Sequence, residues 1–597
     1  MPLNAKVVSL EELLLKYPIL DVPNYQRSFR WTDDAITILF QDILNGLEFK
    51  NESDKRGHFL GSIVVCRDEA NSTVDLVDGQ QRLTTLTIML WSLAKLADKE
   101  TILRAKKSIL QGNKKSPRIL HKVGNREICS DREAYKIVAT SHEDDTQEIP
   151  DEDLTPSLDD DLNALHSNPI YKAGKCLDKL AKQACKSYIE TEKKKLTESK
   201  VAAEIYAKIA DGIKLIIIET DQRKEGMRVF ASINAGGTKL EPWELVMSAF
   251  YTHGPTEEQQ KMVQLVFEHD TRSISKVLGG SDFDDSAINN GLRTYWLATQ
   301  RFARMDDLFN EFNESLANAQ NPAKFHHSSL LQILFCTPIL KGFETASDKV
   351  SCINNKSYDM SCVHPLTVAM KDKLARPILL STLLHFKDSP EQAHDALRRV
   401  SYALERARMR LIICKYGANF IEKPYSNLAI EIYRGKHKGS PEDLEEAVYK
   451  YLKGISGFPS RDELESGFAR FNPFGRDQKL TRLIASRLND AIRQPKEIPN
   501  FFEINPPKDN SLFKAVKGLN FPNDADDEDA ALLGFKSLAD LESLSDTMGN
   551  LFMSNPETDK VDTDYEFNDL DVSELDQEKM KERRDSLAEL AARIWHF

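Results

Sequence analysis

Residues 74–89 read V-D-L-V-D-G-Q-Q-R-L-T-T-L-T-I-M, an apolar run that breaks at Asp78-Gly79 and restarts at once with helical spacing. A strand feeding a helix through so short a turn leaves few alternatives for the local fold, because only a glycine adopts the tight reversal easily. The same junction suits chemistry. A glycine lets the backbone approach a ligand, and a helix start presents N–H groups and the positive end of its dipole to an anion. Arg82 adds a planar, permanently charged fork that matches phosphate oxygens. Gln80, Gln81, Thr84 and Thr85 follow on the same helix. Taken by itself, the segment is equally an ordinary strand-turn-helix with a solvated polar turn.

A second motif lies upstream, Val22-Pro23-Asn24-Tyr25-Gln26-Arg27-Ser28-Phe29-Arg30-Trp31, with Thr32 placed to cap a helix. Ile36, Leu39, Phe40, Ile43, Leu44 and Leu47 then recur at helical spacing, which predicts an amphipathic helix over Asp33 to Leu47. His58-Phe59-Leu60-Gly61-Ser62-Ile63-Val64-Val65 has the pattern of a short buried strand. In this order, V-P-N-Y-Q-R-S-F-R-W, F-L-G-S-I-V and D-G-Q-Q-R-L-T-T-L resemble the N-terminal domain of the GmrSD-type restriction enzymes, a domain related in fold to ParB and sulfiredoxin. The resemblance implies a nucleotide-binding and nucleotide-hydrolysing site. Asp78, Gln80, Gln81 and Arg82 would be its catalytic residues, and Tyr25, Gln26, Arg27, Gly79 and Thr84 would bind the nucleotide with Arg82.

Met227 to Leu240, which contains Ile233-Asn234-Ala235-Gly236-Gly237, resembles the family's closing segment, a helix ending in an asparagine-glycine turn. The residues agree, since Asn and Gly tolerate the left-handed conformation that ends a helix and Glu241-Pro242 suits the start of the next. The resemblance gives Asn234 a nucleotide contact. Ala235 stands where the family commonly has an arginine, and Lys239 is the nearby cation.

At 597 residues the chain exceeds a single core, so two or three domains are expected. An apolar content of 41% with 29% charged residues describes a globular protein and not a disordered one. No run approaches the roughly 18 to 20 apolar residues that span a bilayer, and the first residues lack a basic-then-apolar signal, so the expectation is a cytoplasmic protein without a membrane partner. The cysteines are scattered without a C-x-x-C pair, which fits reduced thiols and disfavours structural zinc. The absence of G-x-x-x-x-G-K-[ST] excludes a P-loop motor, and the absence of G-x-S-x-G removes the commonest hydrolase elbow.

Periodicity predicts an α+β chain that is predominantly helical. Strands and helices alternate up to about residue 95, helices follow, and Ile213 to Ile218 is another buried strand. Expected domains are 1–255, which the resemblance makes a ParB/sulfiredoxin-like nucleotide-binding unit; 256–410, a helical connector; and 411–597, where Phe501 to Pro507 and Thr547 to Asn555 resemble a degenerate HNH-like domain derived from a ββα motif. Helices are expected at Glu257 to His269, Leu366 to Phe386 and Pro390 to Tyr416. The acidic stretches Asp144 to Asp161 and Asn523 to Asp529 read as flexible insertions. His326-His327 reads as an exposed pair near a helix start.

The net charge of −13 argues against a surface that coats DNA everywhere, but a local basic face suffices for binding. The stretches Arg104 to Lys115, Lys193 to Lys200 and Arg398 to Lys415 are candidates, with Arg406 and Arg410 in the last as DNA contacts; each also reads as the wet side of a helix. Towards the carboxyl end, Phe501-Phe502-Glu503-Ile504-Asn505-Pro506-Pro507, then Thr547 to Asn555, then a last helix through Arg583, Arg584 and Trp595 resemble the HNH-type nuclease domain of the same family. Glu503 falls at the family's histidine, and a carboxylate lacks the near-neutral pKa that suits a general base. Either the domain is catalytically silent, or Glu503 acts with Asp509 or Asp546 as metal-binding carboxylates.

The resemblance, over roughly residues 15 to 255 and more weakly 375 to 597, implies a prokaryotic anti-phage protein of the modification-dependent restriction class. Its nucleoside triphosphate would be bound with Mg2+ or Mn2+ at Asp78, and its DNA partner would be modified phage DNA. The alternatives are a noncatalytic nucleotide or DNA sensor working with a separate partner nuclease or as a homo-oligomer, and a nuclease centre in the N-terminal domain itself.

Overall fold

The computed structural model describes residues 4–23, 29–47, 57–67, 74–111, 116–121, 131–140, 165–192, 196–221, 226, 229, 241–254, 256–269, 271–280, 284–417, 419–437, 439–493, 514–519, 525–554, 561, 565, 567–568 and 570–595. The chain divides into two compact units. The first holds Met1–His269 with Phe312–His326, and the second holds Asp270–Glu311 with His327–Phe597.

The first unit is built on a six-stranded mixed sheet in the order β1-β6-β3-β4-β2-β5. Its strands are β1 (Asn4–Ser9), β2 (Leu20–Asp21), β3 (His58–Arg67), β4 (Val74–Asp78), β5 (Ile119–Leu120) and β6 (Ile213–Thr220). β3 runs parallel to β6 and antiparallel to β4, so the apolar runs predicted as buried strands lie side by side in the middle of the sheet. The register of β3 slips between Phe59 and Ser62 against β6, and Gly61 lies within the slip at φ +91°. A glycine inside a strand marks such a bulge, since only it enters that conformation cheaply.

Helices cover the sheet: α1 (Leu10–Lys16), α2 (Asp33–Gly46), α3 (Gln80–Leu96), α4 (Lys99–Ile109), α5 (Asp131–Thr140), α6 (Pro169–Glu192), α7 (Glu198–Gly212) and α8 (Pro242–His253). Thr32 caps α2 through its hydroxyl, and Glu241 with Pro242 opens α8 through a capping box, as the local residues dictate. α3 is apolar nearly all round and sits in the core, packed by α4, α6 and α7. Leu83, Leu86, Leu90 and Leu93 on α3 join Ile63, Val65 and Leu76 of the sheet in one continuous cluster.

The second unit is predominantly helical and includes α9 (Asp285–Thr299), α10 (Arg376–His385), α11 (Pro390–Ile413), α12 (Asn419–Tyr433), α13 (Pro441–Lys453), α14 (Arg461–Ala469), α15 (Gln478–Arg493) and α16 (Gln577–Trp595). It carries two small antiparallel ladders, β7 (Val350–Ser351) with β8 (Ser357–Tyr358) and β9 (Lys514–Lys517) with β10 (Leu551–Ser554). Glu405 of α11 and Arg487 of α15 form a buried two-pronged ion pair at 2.8–2.9 Å. Among the described residues no helix is long and apolar enough to cross a membrane.

Three sequence expectations are corrected. Leu366 to Phe386 is not one helix. A π-helical turn at Pro365–Ala369 ends in Lys371 at φ +52°, Asp372 turns inward to accept from the Leu374 amide (2.9 Å), and a new helix starts at Arg376 with Pro377 in its first turn. The acid-rich residues around Asp526 are a helix start, since Asp526 caps Asp527–Leu532 and the acids of the first turn complement the dipole. His326 is fully buried, its Nε2 2.7 Å from the Phe250 carbonyl and its ring edge-on to Phe250. The Phe250 ring and the Phe250 carbonyl seat that imidazole inside. The stretch Asp144 to Asp161 lies outside the described residues.

Candidate functional site

The D-G-Q-Q-R segment forms the predicted junction. β4 ends at Asp78, paired in register with Val64, Gly79 takes the left-handed conformation (φ +92°), and α3 begins at Gln80. A β carbon on Gly79 would stand 2.2 Å from the Ile63 side chain, so both backbone and packing require glycine. The residue that precedes α3 is Gly79, which has no side chain of its own to cap the helix. Asp78 and Arg82 sit half-buried beside this helix start, where the dipole favours negative charge.

Arg82 folds back over the β3 bulge. Its Nη1 donates to the Ser62 carbonyl (3.1 Å), and the space above Gly61 is filled by its guanidinium, which would lie 3.2 Å from a β carbon there. Burial lowers the Arg82 pKa and the Asp78 charge opposes that change, so the cation is retained beside a carboxylate. A permanently charged fork, one carboxylate and a helix start thus converge at one turn.

The neighbouring candidates serve this turn from inside. Gln81 is buried, and its Oε1 accepts from the Arg30 amide (2.9 Å), which fastens the chain entering α2 to the first turn of α3. Asp131 receives the adjacent Phe29 amide (2.9 Å) and is itself held by Asn168 (3.3 Å). Thr84 is fully buried, 3.1 Å from His121 Nε2, while Thr87 meets the Tyr135 hydroxyl at 2.6 Å. Gln80 is buried as well. Among the candidates within the described residues, Asp78, Gly79 and Arg82 line the turn, whereas Gln80, Gln81 and Thr84 are directed into the fold. Tyr25, Gln26, Arg27 and Asn234 lie outside the described residues.

Sequence reasoning missed the Gly61–Ser62 bulge, His121, Tyr135 and Asp131. The glycine inside an otherwise β-branched strand was the available signal for the first. Nothing local marks the others, whose roles arise from contacts across the fold.

Residues 10–251 match the family model of the GmrSD restriction endonuclease, N-terminal domain. This part of the chain is similar to a GmrSD N-terminal domain. The match spans the junction and every strand of the sheet except β1, which it leaves out. No curated protein matches the chain.

Outside the matched residues, the arginines named as DNA contacts are engaged within the second unit. Arg410 is buried, donates to the Pro459 carbonyl and lies over the Phe458 ring at 4.8 Å, and burial lowers its pKa to about 10. Arg406 stacks on Tyr402 and Tyr449. Apolar stems and aromatic faces hold both in the helical packing. In the β9–β10 region, Asn550 is fully buried, accepts from the Leu519 amide (2.7 Å) and donates to the Leu519 and Ser545 carbonyls (both 3.0 Å). Arg583 of α16 is clamped between Phe552 and Phe567 and donates to four backbone carbonyls. Glu503, Asp509 and Asn555 lie outside the described residues. Among the described residues no three His, Cys, Asp or Glu side chains gather as a metal cluster.

Proposed function

We propose that the chain is a restriction-class defence protein whose N-terminal domain binds and hydrolyses a nucleoside triphosphate, and that nucleotide state controls the recognition or cleavage of foreign, modified DNA. The observation that carries this reading is the Arg82 guanidinium seated on the Gly61–Ser62 bulge beside Asp78 and the glycine-led start of α3. Arg82 would neutralise charge on a phosphate that rests on the helix start, and Asp78 would orient the attacking water. One carboxylate next to a phosphate site fits a divalent ion held mainly by the substrate's own oxygens. Mg2+ or Mn2+ bound at Asp78 would supply charge neutralisation for phosphoryl transfer.

Steady-state hydrolysis by wild type, Arg82→Ala and Asp78→Asn tests the reading. Turnover is expected to fall by at least about ten-fold in each, in line with the loss of one charge-stabilising contact. Equal turnover in all three rejects the site.

A second reading has its own support. The three hydrogen bonds of Asn550 spend its amide on the fold, which favours a C-terminal region that serves architecture and leaves cleavage to a partner nuclease. Plasmid nicking by the purified chain with Mg2+ or Mn2+ would reject it.

A further inference from the structure

α6 is a helix of 24 residues with one face in the core of the first unit. Ile170, Ala173, Leu177, Ala181 and Cys185 are fully buried in the cluster built around α3, which fixes how the helix is rotated. Away from that face stand Lys172, Lys175, Lys179, Lys182 and Lys186, all exposed. Their spacing alternates three and four, so at about 100° per residue they share an arc of about 80°, and at about 1.5 Å per residue they run for about 21 Å. Between the first and the last of them the helix holds a single carboxylate, Asp178, which reaches Lys95 of α3 at 2.5 Å. At the head of the stripe Tyr171 stacks on His166 (5.2 Å) and lies under Lys175 (5.4 Å). On one flank α2 begins with Asp33 and Asp34 beside Cys176, which bounds the stripe there. Lysines three and four apart on a helix repel each other, and a merely solvated face intersperses acids among its bases. A polyanion laid along the stripe relieves that repulsion.

We infer that the lysine face of α6 docks the sugar-phosphate backbone of a DNA duplex without regard to sequence. Lysine ammonium groups are point charges that pair with phosphate and carry no base-reading geometry. A straight row held on a packed helix fits a stiff polyanion with about one charge per 1.7 Å of axis, whereas a single strand must first be ordered to lie along it. An anionic lipid surface is the poorer fit, because a helix that binds the interface inserts its apolar face, and that of α6 is occupied by the core. The inference rests on the restriction reading only for the choice of DNA as the polyanion.

Fluorescence anisotropy of the full chain without nucleotide tests it, using a labelled DNA duplex, a second duplex of unrelated sequence, one strand alone and the matching RNA duplex, with sedimentation on phosphatidylserine vesicles alongside. Both DNA duplexes are expected to bind alike. The triple change Lys172→Glu, Lys179→Glu and Lys186→Glu should weaken binding at least about ten-fold and make its salt dependence shallower by about three phosphate contacts, while Lys172→Arg, Lys179→Arg and Lys186→Arg together keep it. Lys423→Glu, Lys450→Glu and Lys453→Glu, at exposed positions of the second unit, change the net charge equally and should weaken binding far less. The unfolding midpoint of the α6 reversal should not fall, since it turns repelling neighbours into opposite-charge pairs; should it fall, Lys172→Gln, Lys179→Gln and Lys186→Gln carry the same test. No duplex binding by wild type, no loss in the α6 variants, an equal loss in the second-unit control, tighter binding of the single strand or of RNA, or vesicle capture that the α6 reversal abolishes would each overturn the inference. Nucleotide hydrolysis by the α6 reversal is expected to match wild type, and Arg82→Ala should bind duplex as wild type does, so this inference and the hydrolysis reading fail separately.

Discussion

Gly61 is the residue on which the proposed phosphate site turns. Its left-handed backbone and the closeness of the Arg82 guanidinium oppose any side chain. Gly61→Ala should cost about 1–2 kcal/mol of stability and displace Arg82, so nucleotide turnover should fall together with the unfolding midpoint. His121 supplies a pH test. Burial, with Arg132 nearby, lowers its pKa from 6.5 to about 3, so the imidazole is neutral in the folded chain. The unfolded chain then takes up a proton as pH drops below about 6.5 while the folded chain does not. Stability should be unaffected by this group above that pH and decline by roughly 1.4 kcal/mol per unit on acidification until the folded value is reached. Urea titrations at neutral pH and at a pH near 5 should differ by about 2 kcal/mol more in wild type than in His121→Gln.

Among the elements, the Gln81 side chain ties α3 to the chain entering α2 by accepting from the Arg30 amide. Gln81→Ala should leave a buried N–H without its acceptor, costing about 1–3 kcal/mol, and the Arg30 amide should exchange faster by hydrogen exchange; unchanged exchange would remove Gln81 from that role. The strand, glycine and helix of this site were legible in the sequence because hydrophobic period and turn chemistry act locally. What Gln81 and Thr84 do was not. The resemblance assigns both to the nucleotide, and nothing local reveals their contacts with Arg30, 51 residues from Gln81, and His121, 37 from Thr84. The same limit explains Arg410 and His326, whose charge or polarity suggested exposure while aromatic neighbours and backbone carbonyls draw them inside. The break at Lys371 was likewise hidden, because the apolar period continues through it while the backbone does not.

At the scale of the whole molecule, the α+β, predominantly helical class follows from periodicity, whereas the division into units depends on long-range packing. A nucleoside triphosphate analogue that binds the turn should stabilise the folded chain by about 2.7 kcal/mol at a concentration one hundred times its Kd. Differential scanning calorimetry should show this upward shift for wild type and not for Arg82→Ala. In the second unit, Glu405→Gln alone should cost about 3–5 kcal/mol by stranding the Arg487 charge, while Glu405→Leu with Arg487→Met should be far less damaging, as measured by urea unfolding.

The first unit recruits Phe312–His326 from beyond an intervening stretch of the second. Phe250 packs on Phe312 and His326, so the last of these neighbours, His326, leaves the ribosome 76 residues after it does. A nascent chain arrested before Phe312 should keep the Phe250 region open to protease, and one arrested well past His326 should close it; translation rate through that interval would then set how long an unfinished sheet domain waits for its last side chains.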